Sequence, residues 1–362
     1  NIETMFALTL NECADAIQAT GSRVTTLIQG HMGCGKSSVL KMLAHRLPTH
    51  IPCYFDCTTK DLGDLMLPKI LTDNDAEYVR FAPNEEMGLH YGRPVILMID
   101  EFGKANASVK NGMMRVMLER KLGNLALHPD SLVFATTNLG SEGVGDLLLP
   151  HHRNRITTVR IKKPTAMEWI EDFAINAGVH PSIIRWVHEF GDTLFQSFED
   201  VTNPDDNPYI YHPKAQRPAF VTPRSLELGS YWLHAKDKLT ATTVKQALMG
   251  TIGARGGADL EAYIAIHDQL PKKKEIIDNP MMAKVPENAS ATMMLVTNAL
   301  IGMDREFVSP WMQYMNRLDT EAQGYFVMQV RNPKYDKKGM VMTNKDFTAW
   351  CVANNFLFTA DV

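Results

Sequence analysis

Residues 30–37 read Gly-His-Met-Gly-Cys-Gly-Lys-Ser, and that octet constrains the fold more than any other stretch of the chain. Four residues separate Gly30 from Gly35, and Lys36 and Ser37 follow at once, which is the pattern of a phosphate-binding loop between a strand and a helix. The flanks agree with that setting. Val24 to Ile28 is a β-branched, apolar run, and from Ser37 onward Val39, Leu40, Leu43 and Leu47 recur at helical spacing until Pro48 ends the run. Gly30, Gly33 and Gly35 would let the backbone curl so that successive N–H groups face one anion, and the helix would add the positive end of its dipole. Lys36 would reach the β- and γ-phosphates of a nucleotide, and the Ser37 hydroxyl would complete a Mg²⁺ shell. His31, Met32, Cys34 and Ser38 belong to the same loop. A glycine-rich turn that happens to precede a lysine is the plain alternative.

A second stretch strengthens the first. Val95 to Ile99 is five apolar residues ending in Asp100 and Glu101, the length of a buried parallel strand. Carboxylates at the carboxyl end of such a strand lie where open α/β sheets bind ligands. Asp100 would hold Mg²⁺ through water, and Glu101 would orient and deprotonate a water attacking the γ-phosphate. Transfer to an acceptor other than water needs no such glutamate, so Glu101 favours hydrolysis. A solvated strand end is the alternative for both acids. A third strand-like run, Ser131 to Thr136, leads to Asn138, which can hydrogen-bond both the γ-phosphate and the attacking water. Farther on lie His151-His152-Arg153-Asn154-Arg155 and then Thr222-Pro223-Arg224, where Arg224 would open a helix.

In this order and spacing the motifs resemble the AAA+ ATPases, most closely the MoxR-like branch. The likeness is carried by GHMGCGKSS at 30–38, MIDEFGKANASVKNGMMRVMLERKLGN at 98–124, FATTNLGSEG at 134–143, LLLPHHRNRI at 147–156 and TPRSLE at 222–227. It covers roughly residues 5 to 270. By that resemblance Gly30 to Ser37 is the Walker A loop, Asp100 and Glu101 the Walker B pair, Asn138 sensor 1 and Arg224 sensor 2. Arg155 stands where the family carries an arginine finger, with Asn154 in place of the usual Asp, and Arg153 is the other candidate. The resemblance implies ATP and Mg²⁺ as cofactors, a homo-oligomeric, probable-hexamer ring, and remodelling or maturation of a client protein with a von Willebrand A-type partner. A nucleic-acid motor or loader and a slow, ATP-gated scaffold remain the other readings.

The rest of the chain sets the frame. With 45% hydrophobic and 22% charged residues over 362 positions, the composition is that of an ordinary globular protein with room for several domains. The net charge of −4 argues against a generic nucleic-acid binder. Lys272-Lys273-Lys274 reads as a solvated helix start, with a basic patch as the alternative. No run long and apolar enough for a transmembrane helix occurs, and Asn1 to Thr4 shows no secretory leader, so a cytoplasmic location and no membrane insertion are expected. The five cysteines are scattered, as suits reduced thiols. Cys34, beside a helix N-terminus and Lys36, is either a thiol of lowered pKa or a loop side chain whose backbone does the binding. Cys53 and Cys57 could pair on a metal, but no second Cys/His pair lies near and Cys53 to Phe55 reads as a strand. The clustered methionines (Met113, Met114 and Met117; Met281 and Met282; Met293 and Met294) read as core, with a plastic partner surface as the sharper alternative.

The expected architecture is α/β: a P-loop-type parallel sheet with helices on both faces, then a helical lid and a helical C-terminal region. Strands are expected near 24–28, 52–56, 95–99, 131–136 and 156–161, and helices near 37–47, 60–70 and 106–121. The segment 72–94 is longer than a simple connection and reads as a functional insert. The boundaries are a lead-in over 1–22, the nucleotide-binding core over 23–163, the lid over 164–270 and the C-terminal region over 271–362. In the last of these Trp311, Tyr314, Tyr325, Phe326, Phe347, Trp350 and Phe356 are available to pack.

Overall fold

In a computed structural model of the chain, residues 6–138, 152 and 154–355 are described. Along the chain come β1 (Thr26–Gly30), β2 (Ile51–Asp56), β3 (Met66–Asp73), β4 (Ala76–Pro83), β5 (Val95–Asp100), β6 (Lys121–Leu122), β7 (Leu125–Ala126), β8 (Leu132–Asn138) and β9 (Thr157–Arg160). Five of them make one all-parallel sheet in the order β2-β5-β8-β1-β9. Helices α1 (Leu10–Thr20) and α2 (Ser38–Arg46) cover one face, and α3 (Ala107–Glu119) covers the other. This is why β5 and β8 are apolar at consecutive positions: Ile96, Met98 and Phe134 pack with Ile17, Val39 and Leu43, whereas Leu97, Ile99 and Val133 pack with Val109 and Met113.

The strand order matters for function because β8 stands between β1 and β5. Gly30 is opposite Asn138, and Ile99 is opposite Ala135, so the carboxyl ends of all three strands finish in one row. Loops leaving that row hold the phosphate-loop octet, the Asp100–Glu101 pair and Asn138.

Residues 60–70 are not a helix. Two short 3₁₀ turns, Cys57–Thr59 and Leu62–Asp64, lead directly into β3, which pairs antiparallel with β4 from Met66 opposite Pro83 to Asp73 opposite Ala76. Asn74 and Asp75 turn the ribbon with φ of +49° and +63°. Two consecutive positive φ values are what a two-residue hairpin turn of matching twist demands, and Asn and Asp tolerate them better than most residues. The 72–94 insert therefore begins earlier than its composition suggests, at Met66. The ribbon is tied at its base, where the Asn124 N–H donates to the Phe81 carbonyl at 3.1 Å and the Asn84 N–H to the Leu65 carbonyl at 2.8 Å.

After β9 the chain is helical: α4 (Ala166–Trp169) widening into a π turn to Ala174, then α5 (Pro181–Leu194), α6 (Pro223–His234), α7 (Ala241–Ile252) and α8 (Ala254–Asp268). Two compact units divide at Ala258 and Asp259. The second carries α9 (Lys273–Asp278), α10 (Ala289–Ile301), α11 (Val308–Met315), α12 (Thr320–Arg331), α13 (Lys338–Met342) and α14 (Lys345–Ala353). Its core is the aromatic set read from the sequence: Trp311 lies 5.5 Å from Phe326 and 5.6 Å from Tyr314, and Phe347 and Trp350 are buried. Phe356 lies outside the described residues. The methionines divide: Met113, Met114, Met117 and Met294 are buried, but Met281 and Met282 are exposed and contribute nothing to the core. They sit just past the end of α9, where no neighbouring layer covers them. Among the described residues no helix is long and apolar enough to cross a membrane.

Candidate active site at the carboxyl ends of the sheet

The glycine loop takes the curled form its sequence demands. Gly33 and Gly35 have φ of +77° and +84°, a region that costs a residue with a Cβ about 1 kcal/mol or more. Each glycine also meets a neighbour. A Cβ on Gly30 would fall 2.4 Å from Ile161 Cγ2, and one on Gly33 would fall 2.9 Å from Thr222 Cβ. Thr222 is the N-cap of α6, so the loop is pressed against the start of the helix that carries Arg224. Beyond the loop, α2 starts at Ser38 with Ser37 as its N-cap. No side-chain cap closes this end and no acidic residue occupies the first turn. An anion meets the dipole there without competition from a carboxylate of the helix.

Lys36 is buried and its ammonium is held by three acceptors: the Gly30 carbonyl at 2.8 Å, the His31 carbonyl at 3.0 Å and Asn138 Oδ1 at 2.8 Å. Asn138 turns its other side to Glu101, with Nδ2 donating to Oε1 at 3.1 Å and Oε2 at 3.2 Å. A cation on one side and a carboxylate on the other leave the amide a single sensible orientation. The three groups form one line because β8 lies between β1 and β5. Glu101 itself sits at φ +54°, and its N–H donates to Thr136 Oγ1 at 3.3 Å. Left-handed backbone at a non-glycine costs on the order of 1–3 kcal/mol. It turns the chain out of the strand so that the Glu101 carboxylate meets Asn138. Lys104 Nζ lies 3.5 Å from Glu101 Oε2 and is a charged neighbour of that carboxylate.

Asp100 is held from both flanking strands. The Tyr54 hydroxyl donates to Oδ2 at 2.5 Å, and the Thr136 hydroxyl donates to Oδ1. Burial, followed by the bond to Asp100, raises the Tyr54 phenol above its ordinary range, so it remains a donor. Asp56 lies directly across from Asp100 in the sheet, but it is spent locally on the Thr58 N–H at 2.9 Å and hydroxyl at 2.7 Å.

Arg224 follows Pro223 in the first turn of α6, and its Nη2 reaches Ser37 Oγ at 3.4 Å. The structure thus brings Lys36, Ser37, Asp100, Glu101, Asn138 and Arg224 together. Arg155 is exposed, and Arg153 lies outside the described residues. Met32 is 41% exposed. His31, by contrast, is tied outward: its Nε2 lies 3.2 Å from Glu199 Oε1, Arg160 Nη2 lies 3.7 Å from the same oxygen, and the Phe198 ring stands edge-on at 5.0 Å. Cys34 is 1% exposed and packs among Ile28, Val39 and Ile161, so its side chain is core and reagents in solvent do not meet it. Cys53 and Cys57 are both buried. Burial pushes their thiols up to about 11 and about 12, and among the described residues no three His, Cys, Asp or Glu side chains converge.

The donor set suits a magnesium–nucleotide. Ser37 and Asp100 are hard oxygen ligands, and Mg²⁺ takes few protein oxygens when phosphates and water supply the rest. Tyr54, Thr136 and Glu199 are the site neighbours that motif reading missed. Tyr54 sits one strand away from the motif it serves, and Glu199 is separated from His31 by 168 residues. No family model matches the chain, and no curated protein matches it.

Proposed function

We propose that the chain is a Mg²⁺-dependent ATP hydrolase of the AAA+ type, working as a ring to remodel or mature a partner protein. The observation that carries this reading is the hydrogen-bonded line Lys36–Asn138–Glu101 at the ends of three adjacent parallel strands. A phosphate cation, a water-orienting amide and a proton acceptor are the parts that hydrolysis of a terminal phosphoryl group needs in a row.

In this reading the backbone of Gly30 to Ser37 cradles the phosphates, and Lys36 leaves its resting acceptors to meet the oxygens that gain charge. Asn138 keeps one hydrogen bond to Glu101 and offers its other side to the water. Glu101 takes the proton of that water as its oxygen bonds to the γ-phosphorus and the bridging P–O bond breaks, with ADP as the leaving group. Ser37 and Asp100 would hold Mg²⁺, which would neutralise charge on the phosphates. Arg224, already beside Ser37, joins α6 to the nucleotide, so loss of the γ-phosphate is felt by the helices after β9. Exposed Arg155, or Arg153, is assigned to a neighbouring subunit's site, where an arginine finger adds about three to five orders of magnitude in rate. A head-to-tail contact of that kind closes into a ring.

The test is ATP turnover with and without Mg²⁺ beside molar mass by light scattering. Turnover that needs Mg²⁺ and appears with an ATP-driven multimer is expected. Loss of turnover in Arg155→Ala, restored by mixing with Glu101→Gln subunits that retain the finger, is expected if Arg155 acts across the interface. Full turnover in a dilute monomer refutes the shared site.

A further inference from the structure

In the proposed site Asp100 would hold Mg²⁺ together with Ser37, and its carboxylate is already gripped by two hydroxyls. Thr136 reaches it from β8 and Tyr54 from β2, one on each oxygen. The reach of Tyr54 follows from register. Tyr54 is opposite Met98, and Asp100 is two residues farther along β5 on the same face, which is the diagonal that a long aromatic side chain spans. The face is the one that α2 covers, since Met98, opposite Tyr54, packs with Val39 and Leu43.

Packing does not account for the contact. The Tyr54 residue is 46% exposed on an edge strand, while its neighbours Cys53 and Phe55 supply the burial of β2. The neighbouring acid, Asp56, accepts the Thr58 N–H and hydroxyl on its Oδ1, whereas the Tyr54 hydroxyl goes to Asp100. An ionised carboxylate has about four lone-pair sites. Two are used by Tyr54 and Thr136, and two are left, in the plane these hydroxyls fix, for water bound to the metal.

Resting on the ATP-hydrolase reading above, we propose that Tyr54 is a positioning residue for the site's magnesium: with Thr136 it sets the plane of the Asp100 carboxylate and so the affinity for the metal bound with nucleotide. Hydrogen-bond partners of metal-holding carboxylates are worth about 10–100-fold in metal affinity. The contribution of Tyr54 belongs at the lower end, since Thr136 persists when it is removed.

The experiment uses the full chain and Tyr54→Phe, which deletes the hydroxyl alone. A fluorescent ATP analogue is bound at equilibrium across a Mg²⁺ titration and in EDTA, and Mn²⁺ binding with ATP is read by electron paramagnetic resonance. Tyr54→Phe is expected to raise the Mg²⁺ and Mn²⁺ concentrations for half-saturation about tenfold while leaving nucleotide affinity in EDTA unchanged. In an Asp100→Asn background the same substitution is expected to change neither, because the hydroxyl acts only through that carboxylate. An unaltered metal titration, an equal loss of nucleotide affinity in EDTA, or a full effect in the Asp100→Asn background overturns the assignment. If the wild type binds the analogue without any response to Mg²⁺, the ATP-hydrolase reading itself falls, and the role of Tyr54 falls with it.

Discussion

The ends of β1, β5 and β8 and the ribbon of β3 and β4 put side chains to opposite uses. At the strand ends, Lys36, Asn138 and Thr136 are buried polar groups whose hydrogen bonds are made within the site, and each is held by backbone that core layers fix on both faces. On the ribbon, Leu67, Ile70 and Val79 are apolar and more than half exposed. An isolated two-stranded hairpin is marginal in water, so this one depends on its tether at Asn84 and Asn124. The contrast separates position from burial. The site is precise because its residues extend a packed sheet, whereas the ribbon has shape without a core of its own.

Four substitutions would sharpen or break that contrast. The largest effect belongs to the layer that supports the site. Phe134→Ala, in the buried middle of β8, should lower stability by about 3–5 kcal/mol in denaturant unfolding of the first transition. A loss near zero would mean that the sheet does not anchor the site. Next comes Asn138→Ala, which should reduce ATP turnover by about two to three orders of magnitude and leave the unfolding midpoint less affected than Phe134→Ala does. Full turnover would remove the amide from the line that joins Lys36 to Glu101. Thr222→Ala removes the side chain that caps α6 at the Ser225 N–H (3.0 Å) and faces Gly33, and about 1 kcal/mol of stability should be lost. The smallest change is on the ribbon, where Ile70→Ser should move stability by no more than about 0.5 kcal/mol. A loss as large as that of Phe134→Ala would show that the ribbon is buried in the working state of the protein.

The sequence is most readable where both faces of a strand are buried. Val95 to Ile99 and Leu132 to Thr136 are continuous apolar runs because layers cover them on both sides, and the residues that end them, Asp100, Glu101 and Asn138, became site candidates only in combination with the phosphate loop and the family resemblance. The phosphate loop was equally legible, since its glycines answer to local backbone needs at Gly33 and Gly35. Local pattern failed where register or an unpaired surface decides. A helix is expected near 60–70, but Asn74-Asp75 supports a two-residue turn that folds Ile70 to Thr72 back on Glu77 to Val79. Tyr54 gave no motif signal because its partner is set by the diagonal between β2 and β5. The same holds for His31 and Glu199, which meet only when the chain after β9 returns to the loop.

The proposal stands most directly on Glu101, the proposed base, which has a left-handed backbone and a bond to Asn138. The measurement is equilibrium ATP binding beside single-turnover hydrolysis for the wild type and Glu101→Gln, which keeps the side chain's size and removes its basicity. Retained ATP binding with hydrolysis slowed by about two to four orders of magnitude is the predicted result. Equal hydrolysis by the two proteins would contradict the account.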